Sequence, residues 1–292
     1  MAVAEAPAKL PGASDHDKLL SLCKLPYSQQ AVWFLNAFWG IYGERAEDFW
    51  NWVETFEKLD NAGGCGVDEL VAHRFLEKHK ETMTVLEMRS ALRKSGALEQ
   101  NERPKLVPLT HFLLSKLDVD WHLLVNSSQG DQSKIQEARR MLEEVQKALD
   151  AALEAEAPFK AAQEEVEAAL AEVKAQEDEY HGKIADAEKR SKEGGAVTRG
   201  RAANELAQLK AEDPLPLRKA KITLEAAQKR AEKARAPLLA AREEVEKRFA
   251  EAEAYLKEVS AGGGESSGQV WWLERTLLEK RKFMPVSKGG VR

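Results

Sequence analysis

Residues 135–152 read IQEARRMLEEVQKALDAA, and this stretch decides the fold class. Apolar residues or alanine recur at alternating spacings of three and four, beginning with Ile135, Ala138 and Leu142. This repeat places one apolar stripe along an α-helix, and such a stripe requires a partner helix. The seven-residue frame continues to Ala187, with all eight d positions and five of the eight a positions apolar or alanine.

A second apolar stripe starts at Leu217 and ends at Val259. The residues that separate the two stripes and break helices are Gly194, Gly195, Gly200, Pro214 and Pro216. Between these breakers we expect only a short helical turn, over 204–210. Two complementary stripes in one chain fold most simply on each other, so we predict an antiparallel helical hairpin (a coiled coil) over 134–260. Its arms would be roughly 70–90 Å long at 1.5 Å per residue.

Residues 15–125 differ in composition and hold five of the seven tryptophans of the chain. Aromatic and aliphatic residues recur there at helical spacing, for example from Phe49 to Phe56. Thr84 and Glu87 have the spacing of a capping box, which begins a helix. We therefore predict a compact helical domain, and an all-α fold for the chain as a whole.

Three further segments complete the predicted organisation. Residues 1–14 are rich in alanine and proline and are predicted to be disordered. Residues 126–133 form a polar linker, and 261–292 comprise a Gly/Ser linker, a short helix and a basic tail. Two adjacent tryptophans cannot share one helix face, so we expect Trp271 and Trp272 to dock against either the N-terminal domain or the base of the hairpin.

Composition and charge exclude several functional classes. A net charge of −5 gives no overall field that would attract nucleic acid or a membrane surface. No apolar run approaches the ~20 residues that span a bilayer, and we expect a soluble, intracellular protein. Cys23 and Cys65 lack metal-ligand spacing and indicate reduced thiols.

Sequence signatures of enzymes are absent as well. The glycine clusters have neither the spacing nor the preceding strand of a phosphate-binding loop. The six histidines include no His-Glu-x-x-His pattern, and the paired glutamates are typical of a solvated helix face. We therefore expect a non-enzymatic protein that has no cofactor and works as an interaction surface.

Four short stretches occur in one order along most of the chain: KLPYSQQAV at 24–32, LEEV at 142–145, ELAQ at 205–208 and GESSGQVWWL at 264–273. In this order they resemble the calcium-regulated actin-bundling protein family of amoeboid cells. The resemblance implies an N-terminal EF-hand-like domain over 15–125 and a C-terminal helical actin-bundling region. It also implies actin filaments as the partner and a cytoplasmic, cytoskeletal location.

The calcium loops of that family are degenerate in this sequence. The loops correspond to 60–71 and 100–111, and position 12 of each holds Val71 and His111. Neither residue supplies the bidentate carboxylate that completes a calcium shell, so we expect calcium not to bind. The carboxylates that remain from the two ligand sets are Asp60, Asp68 and Glu102.

Basic residues are concentrated where the hairpin is predicted to reverse: Lys183, Lys189, Arg190, Lys192, Arg199, Arg201, Arg218, Lys219 and Lys221. A cluster of cations attracts an acidic filament, so the first hypothesis is a protein that binds or cross-links actin filaments through this tip. The alternative is a structural component of a microtubule assembly such as the axoneme of a cilium. Its partners would be tubulin or axonemal proteins, and a fixed part of that kind needs no calcium switch.

Overall fold

The part of the chain that the structure describes is mostly helical. The computed structural model describes residues 7–60, 64–79, 81–102, 104–211, 214–262, 264 and 266–284. The helices are α1 (Asp15–Cys23), α2 (Tyr27–Ala37), α3 (Trp39–Tyr42), α4 (Ala46–Leu59), α5 (Glu69–Lys78), α6 (Val85–Ser95), α7 (Leu109–Leu117), α8 (Trp121–Asn126), α9 (Gln132–Lys192), α10 (Ala196–Ala211), α11 (Leu215–Ala261) and α12 (Ser267–Arg281). Two short strands, β1 (Gly66–Val67) and β2 (Val107–Pro108), pair with each other.

These elements confirm the predicted all-α fold, with an N-terminal helical region, a long helical hairpin and a short C-terminal helix. They divide into two compact units, which we describe separately. The first unit contains the chain up to Val145 together with Phe249–Lys282, and the second contains Gln146–Arg248. The first unit therefore includes the base of the hairpin as well as the N-terminal helices.

Helices α1 to α8 of the first unit enclose a core rich in aromatic side chains. Trp33, Phe34, Phe49, Phe56 and Phe112 are almost completely buried in it. The predicted capping box at the start of α6 is confirmed, because the side chains of Thr84 and Glu87 each bond the backbone of the other.

The strand pair joins two successive helix–strand–helix segments, α4–β1–α5 and α6–β2–α7. Val67 lies opposite Val107, and both side chains are buried. The amide of Gln30, also buried, donates to the Cys65 carbonyl oxygen at 2.9 Å and accepts from the Thr110 backbone nitrogen at 2.9 Å. This one side chain therefore links α2 to both segments.

The predicted disorder of residues 1–14 does not hold for the end of that segment. Leu10 is buried in the core, and the Ser21 hydroxyl donates to the Pro11 carbonyl oxygen at 2.7 Å. Ser14 then caps α1 through a capping box with Asp17. An apolar residue and a cap therefore order a stretch whose composition alone predicts disorder. Residues 1–6 lie outside the described residues.

The facing stripes of α9 and α11 follow the predicted heptads in part. Near the hairpin base, Ile135, Leu142, Phe249 and Leu256 are buried. The d positions of the first stripe stay buried or half-buried up to Ala187. The a positions do not: the predicted Leu170 is 48 % exposed. In this part of α9 the buried residues lie one position before the predicted a positions: Ala162 precedes position 163 and Ala169 precedes Leu170. A straight helix drifts relative to a strict seven-residue repeat, which accounts for this shift.

The connection between the arms is much shorter than predicted. Residues 193–195 form the whole turn, and α10 follows it as a helix of 16 residues that contains Gly200. Gly194 has φ of +116°, a conformation that glycine adopts without strain. One glycine inside a helix costs only about 1 kcal/mol, and α10 continues through Gly200.

Candidate functional site

The candidate site is the hairpin tip, which we define as the end of α9, the turn at 193–195, α10 and the first turns of α11. Helix α10 runs back along α9, since the Tyr180 hydroxyl donates to the Leu209 carbonyl oxygen at 2.7 Å. Bonded pairs continue in one antiparallel order from the tip downward: Arg190–Glu205, Tyr180–Leu209, Glu177–Lys221 and Glu165–Arg230. The second arm therefore consists of α10 and α11 in succession.

Packing at the start of α11 rests on the predicted stripe. Leu217 and Ala220 lie against Val173 of α9, with Leu224 partly buried beside them. The small alanine side chain allows the two helix backbones to approach closely. This contact fixes which residues of α11 face α9 and which face solvent.

All nine cations predicted from the sequence are exposed in the structure. Three of them pair with carboxylates of their own unit. Lys183 bonds Glu179 and Lys221 bonds Glu177, at 2.7 and 3.2 Å. Arg190 bridges α9 to α10 through Glu205 at 3.0 Å, and this hydrogen bond raises the pKa of the guanidinium. These three residues contribute to the tip's own structure.

The other six cations have no acidic partner within 4.0 Å among the described residues of the chain. They form two groups. We call Lys189, Lys192, Arg199 and Arg201 the corner group, because they flank the turn at 193–195. We call Arg218 and Lys219 the α11 group.

The two groups lie at different heights along the hairpin. The α11 group lies near Glu177, the partner of Lys221, and Glu177 precedes Lys189 by about 18 Å of helix. The nine cations are therefore spread along the tip and do not lie at one point. The reason is α10, whose helical turns separate the corner from the start of α11.

The carboxylates that remain from the calcium loops bond to the protein itself. Asp60 accepts from the Tyr27 hydroxyl at 2.7 Å and from the Gly64 backbone nitrogen at 2.8 Å. Asp68 caps α5 by accepting from the Val71 nitrogen at 2.8 Å. Residues 61–63 of the first loop, including Ala62 at position 3, lie outside the described residues.

The second loop is similar. Glu102 accepts from the Glu99 backbone nitrogen at 3.3 Å and lies 3.8 Å from His16. His111 at position 12 is buried, and this burial, with a smaller effect from Arg89, lowers its pKa to about 4. The imidazole is thus neutral at pH 7. Nowhere in the described part of the chain do three or more His, Cys, Asp or Glu side chains gather as a metal site.

Helix α12 places the two adjacent tryptophans differently. Trp272 is buried in the core of the first unit, and Trp271 is partly buried against the same core. The guanidinium of Arg275 lies 4.8 Å from the ring centre of Trp50 and bonds Glu47 at 3.0 Å. Sequence reasoning missed Arg275, because its partners come from α4, far away in the chain.

Asn36 of α2 was missed as well. Its side chain accepts from the Gln269 backbone nitrogen and donates to the Gln129 side chain, both at 2.9 Å. Gly268 makes this contact possible, since a Cβ there would lie 2.8 Å from the Asn36 nitrogen. The predicted linker at 126–133 and the start of α12 are therefore both anchored on α2.

No helix in the described part of the chain has the length and apolar character needed to cross a bilayer.

Curated protein sequences give no match to the chain. Residues 127–261 match the family model described as F actin bundling C terminal. Among solved structures, the 34 kDa F-actin bundling protein from Dictyostelium discoideum is similar, with 23 % identity and a TM-score of 0.50 over 95 % of this chain and 99 % of that chain. The comparisons thus support a relation to the actin-bundling family, through the match of residues 127–261 to its C-terminal region.

Proposed function

We propose that this chain is a non-enzymatic cytoskeletal protein that binds actin filaments through the hairpin and cross-links them. The observation that carries the proposal is the match of 127–261 to the F-actin-bundling C-terminal family, since this range contains α9, α10 and α11. The fold shared with the Dictyostelium bundling protein supports it.

The electrostatics of the tip support the same function. Six exposed cations that form no ion pair within 4.0 Å among the described residues leave a local positive charge on a chain whose net charge is −5. Positive charge of this kind steers association with an acidic filament and makes the affinity sensitive to salt. The corner group and the α11 group are the residues proposed to supply it.

We infer further that α4–β1–α5 and α6–β2–α7 are an EF-hand-like pair that has lost calcium. The supporting observation is the pairing of Val67 with Val107, which are the eighth residues of the two loops. At position 12 of the two loops, Val71 packs against the core and His111 is buried. Neither residue supplies the bidentate carboxylate that calcium requires at this position. Calcium regulation is therefore proposed to be absent.

Co-sedimentation with purified filaments tests the proposed function. We expect the protein to pellet with actin filaments at high speed, and to pellet the filaments themselves at low speed if it cross-links them. Microtubules serve as the comparison, because tubulin is also acidic. Binding to microtubules without binding to actin would overturn the proposal and favour the axonemal alternative.

A further inference from the structure

We propose that the first two turns of α11 form a docking face for the actin filament in which two aliphatic side chains flank two cations. This inference rests on the proposed function and assigns its contact to particular residues. Leu215, Arg218, Lys219 and Ile222 are spaced i, i+3, i+4 and i+7, so they share one side of the helix. Leu215 is 66 % exposed and Ile222 is 58 % exposed.

These aliphatic side chains are not needed to close the hairpin. Leu217 and Ala220, on the other side of α11, make the contact with Val173. Single exposed aliphatic residues are common on protein surfaces and need no explanation. Here two of them flank Arg218 and Lys219, which have no acidic partner in the described part of the chain. The combination distinguishes this face from the rest of α11.

A groove lies beside the same face. Its volume is about 300 Å³, and its lining includes Ala169, Glu172 and Gln176 of α9 with Lys219 and Ala220 of α11. Glu172 accepts a hydrogen bond from Gln176 at 3.0 Å. Lys219 borders both the face and the groove, where small side chains leave room for an apolar side chain of the partner.

The occupant that fits is an acidic surface of the actin filament that presents an apolar side chain among its carboxylates. Charge complementarity with Arg218 and Lys219 favours this occupant. The two parts of such a contact respond differently to salt. Salt screens exposed charges, whereas it does not weaken the burial of aliphatic surface. A salt-resistant component of binding is therefore the signature of Leu215 and Ile222.

The test compares three double variants in actin co-sedimentation at low salt and at about 0.5 M potassium chloride, where the Debye length is about 4 Å. They are L215S/I222S, R218E/K219E and the control L153S/L239S, whose leucines are 47 % and 49 % exposed elsewhere in the same unit. We expect L215S/I222S to weaken the binding that persists at high salt by about tenfold. R218E/K219E should lose binding at low salt, and the control should match the wild type. Circular dichroism checks that each variant keeps its helices.

The outcomes distinguish failure of the proposed function from failure of the docking face on α11. If the wild type does not pellet with actin filaments, the proposed function fails, and this inference with it. If the wild type binds and L215S/I222S binds equally well at both salt concentrations, only this inference is overturned. An equal loss in L153S/L239S would also overturn it, because any exposed leucine would then have the same effect.

Discussion

The indole rings of Trp50 and Trp272 lie with their centres 4.8 Å apart and their planes tilted by 46°. This contact joins α12 to α4, although 222 positions separate the two residues in the chain. Arg275 reinforces it from the same helix by contacting both Trp50 and Glu47. The C-terminal helix is therefore an integral part of the first unit.

We expect Trp272→Ala to lower the free energy of unfolding by about 3–5 kcal/mol, because it removes a buried aromatic ring from a packed core. Urea denaturation followed by circular dichroism measures the change. Leu278→Ala on the same helix is the control, since Leu278 is 53 % exposed. Its effect should stay within about 0.5 kcal/mol. Equal stability of Trp272→Ala and the wild type would show that α12 does not stabilise this unit.

Charge reversal at the tip should weaken binding to actin filaments. Arg199→Glu with Arg201→Glu tests the corner group, separately from the α11 group. Each exposed contact contributes only about 0.2–1 kcal/mol, so we expect a loss of several-fold that is greatest at low salt.

The matched control for this reversal is Lys147→Glu with Lys247→Glu. Both lysines are exposed on the shaft of the second unit, and the change in net charge is the same. An equal loss of co-sedimentation in the two variants would mean that only the total charge matters. Unchanged binding of the Arg199/Arg201 variant would remove the corner group from the mechanism.

Calcium should not bind with the affinity of a sensor protein. Titration calorimetry is expected to give no dissociation constant at or below about 10 µM. The physical reason is that Asp60 and Asp68 already bond protein groups and that position 12 of both loops lacks a carboxylate. A saturable heat of binding in the micromolar range would contradict the proposed loss of calcium regulation.

Stability should fall as the pH drops from about 6.5 to about 4, because the buried imidazole of His111 has its pKa lowered to about 4. The unfolded chain takes up this proton more readily than the folded one, so acid favours unfolding in this window. The loss amounts to at most about 3 kcal/mol. His111→Leu should flatten this part of the profile of unfolding free energy against pH. His181→Leu, on the exposed side of α9, should leave it unchanged.

The two arms should pair within one chain. Lys221 and Glu177 lie 3.2 Å apart, and Lys210 and Glu188 lie 2.8 Å apart, so a zero-length carbodiimide reagent should link both pairs. Mixing chains labelled with light and heavy nitrogen distinguishes the source of each link by mass spectrometry. We expect links between residues of the same label. Mixed-label links in a statistical proportion would show that the arms pair between two chains.

The sequence predicted the hairpin because a helix stripe and its partner stripe are local patterns, visible from Ile135 to Ala187 and from Leu217 onward. It predicted only a short helical turn over 204–210, where α10 has 16 residues. Gly200 was expected to break a helix, but α10 continues through it, and Tyr180 and Glu188 bond Leu209 and Lys210 near its end. Such contacts join residues distant in sequence, and no local pattern encodes them.

The sequence predicted which cations lie at the hairpin tip, but it did not predict how they are distributed along it. All nine cations lie in the predicted part of the hairpin, yet three of them pair with nearby carboxylates and the other six form two groups at different heights along it. The separation depends on the length of α10, which was underestimated. The placement of Trp272 against Trp50, and of Asn36 against Gly268, depends on tertiary packing that periodicity does not reveal.

The antiparallel order of the bonded pairs in the second unit means that the two arms of the hairpin can be shortened together. Each pair, such as Glu165 with Arg230, joins residues that face each other across the two arms. Removing one heptad from α9 and one from the facing part of α11 would therefore keep the remaining pairs aligned. A protein shortened in this way would keep the side chains of its tip and have a shorter second unit. Under the proposed cross-linking of actin filaments, we expect the spacing between filaments in a bundle to change with it.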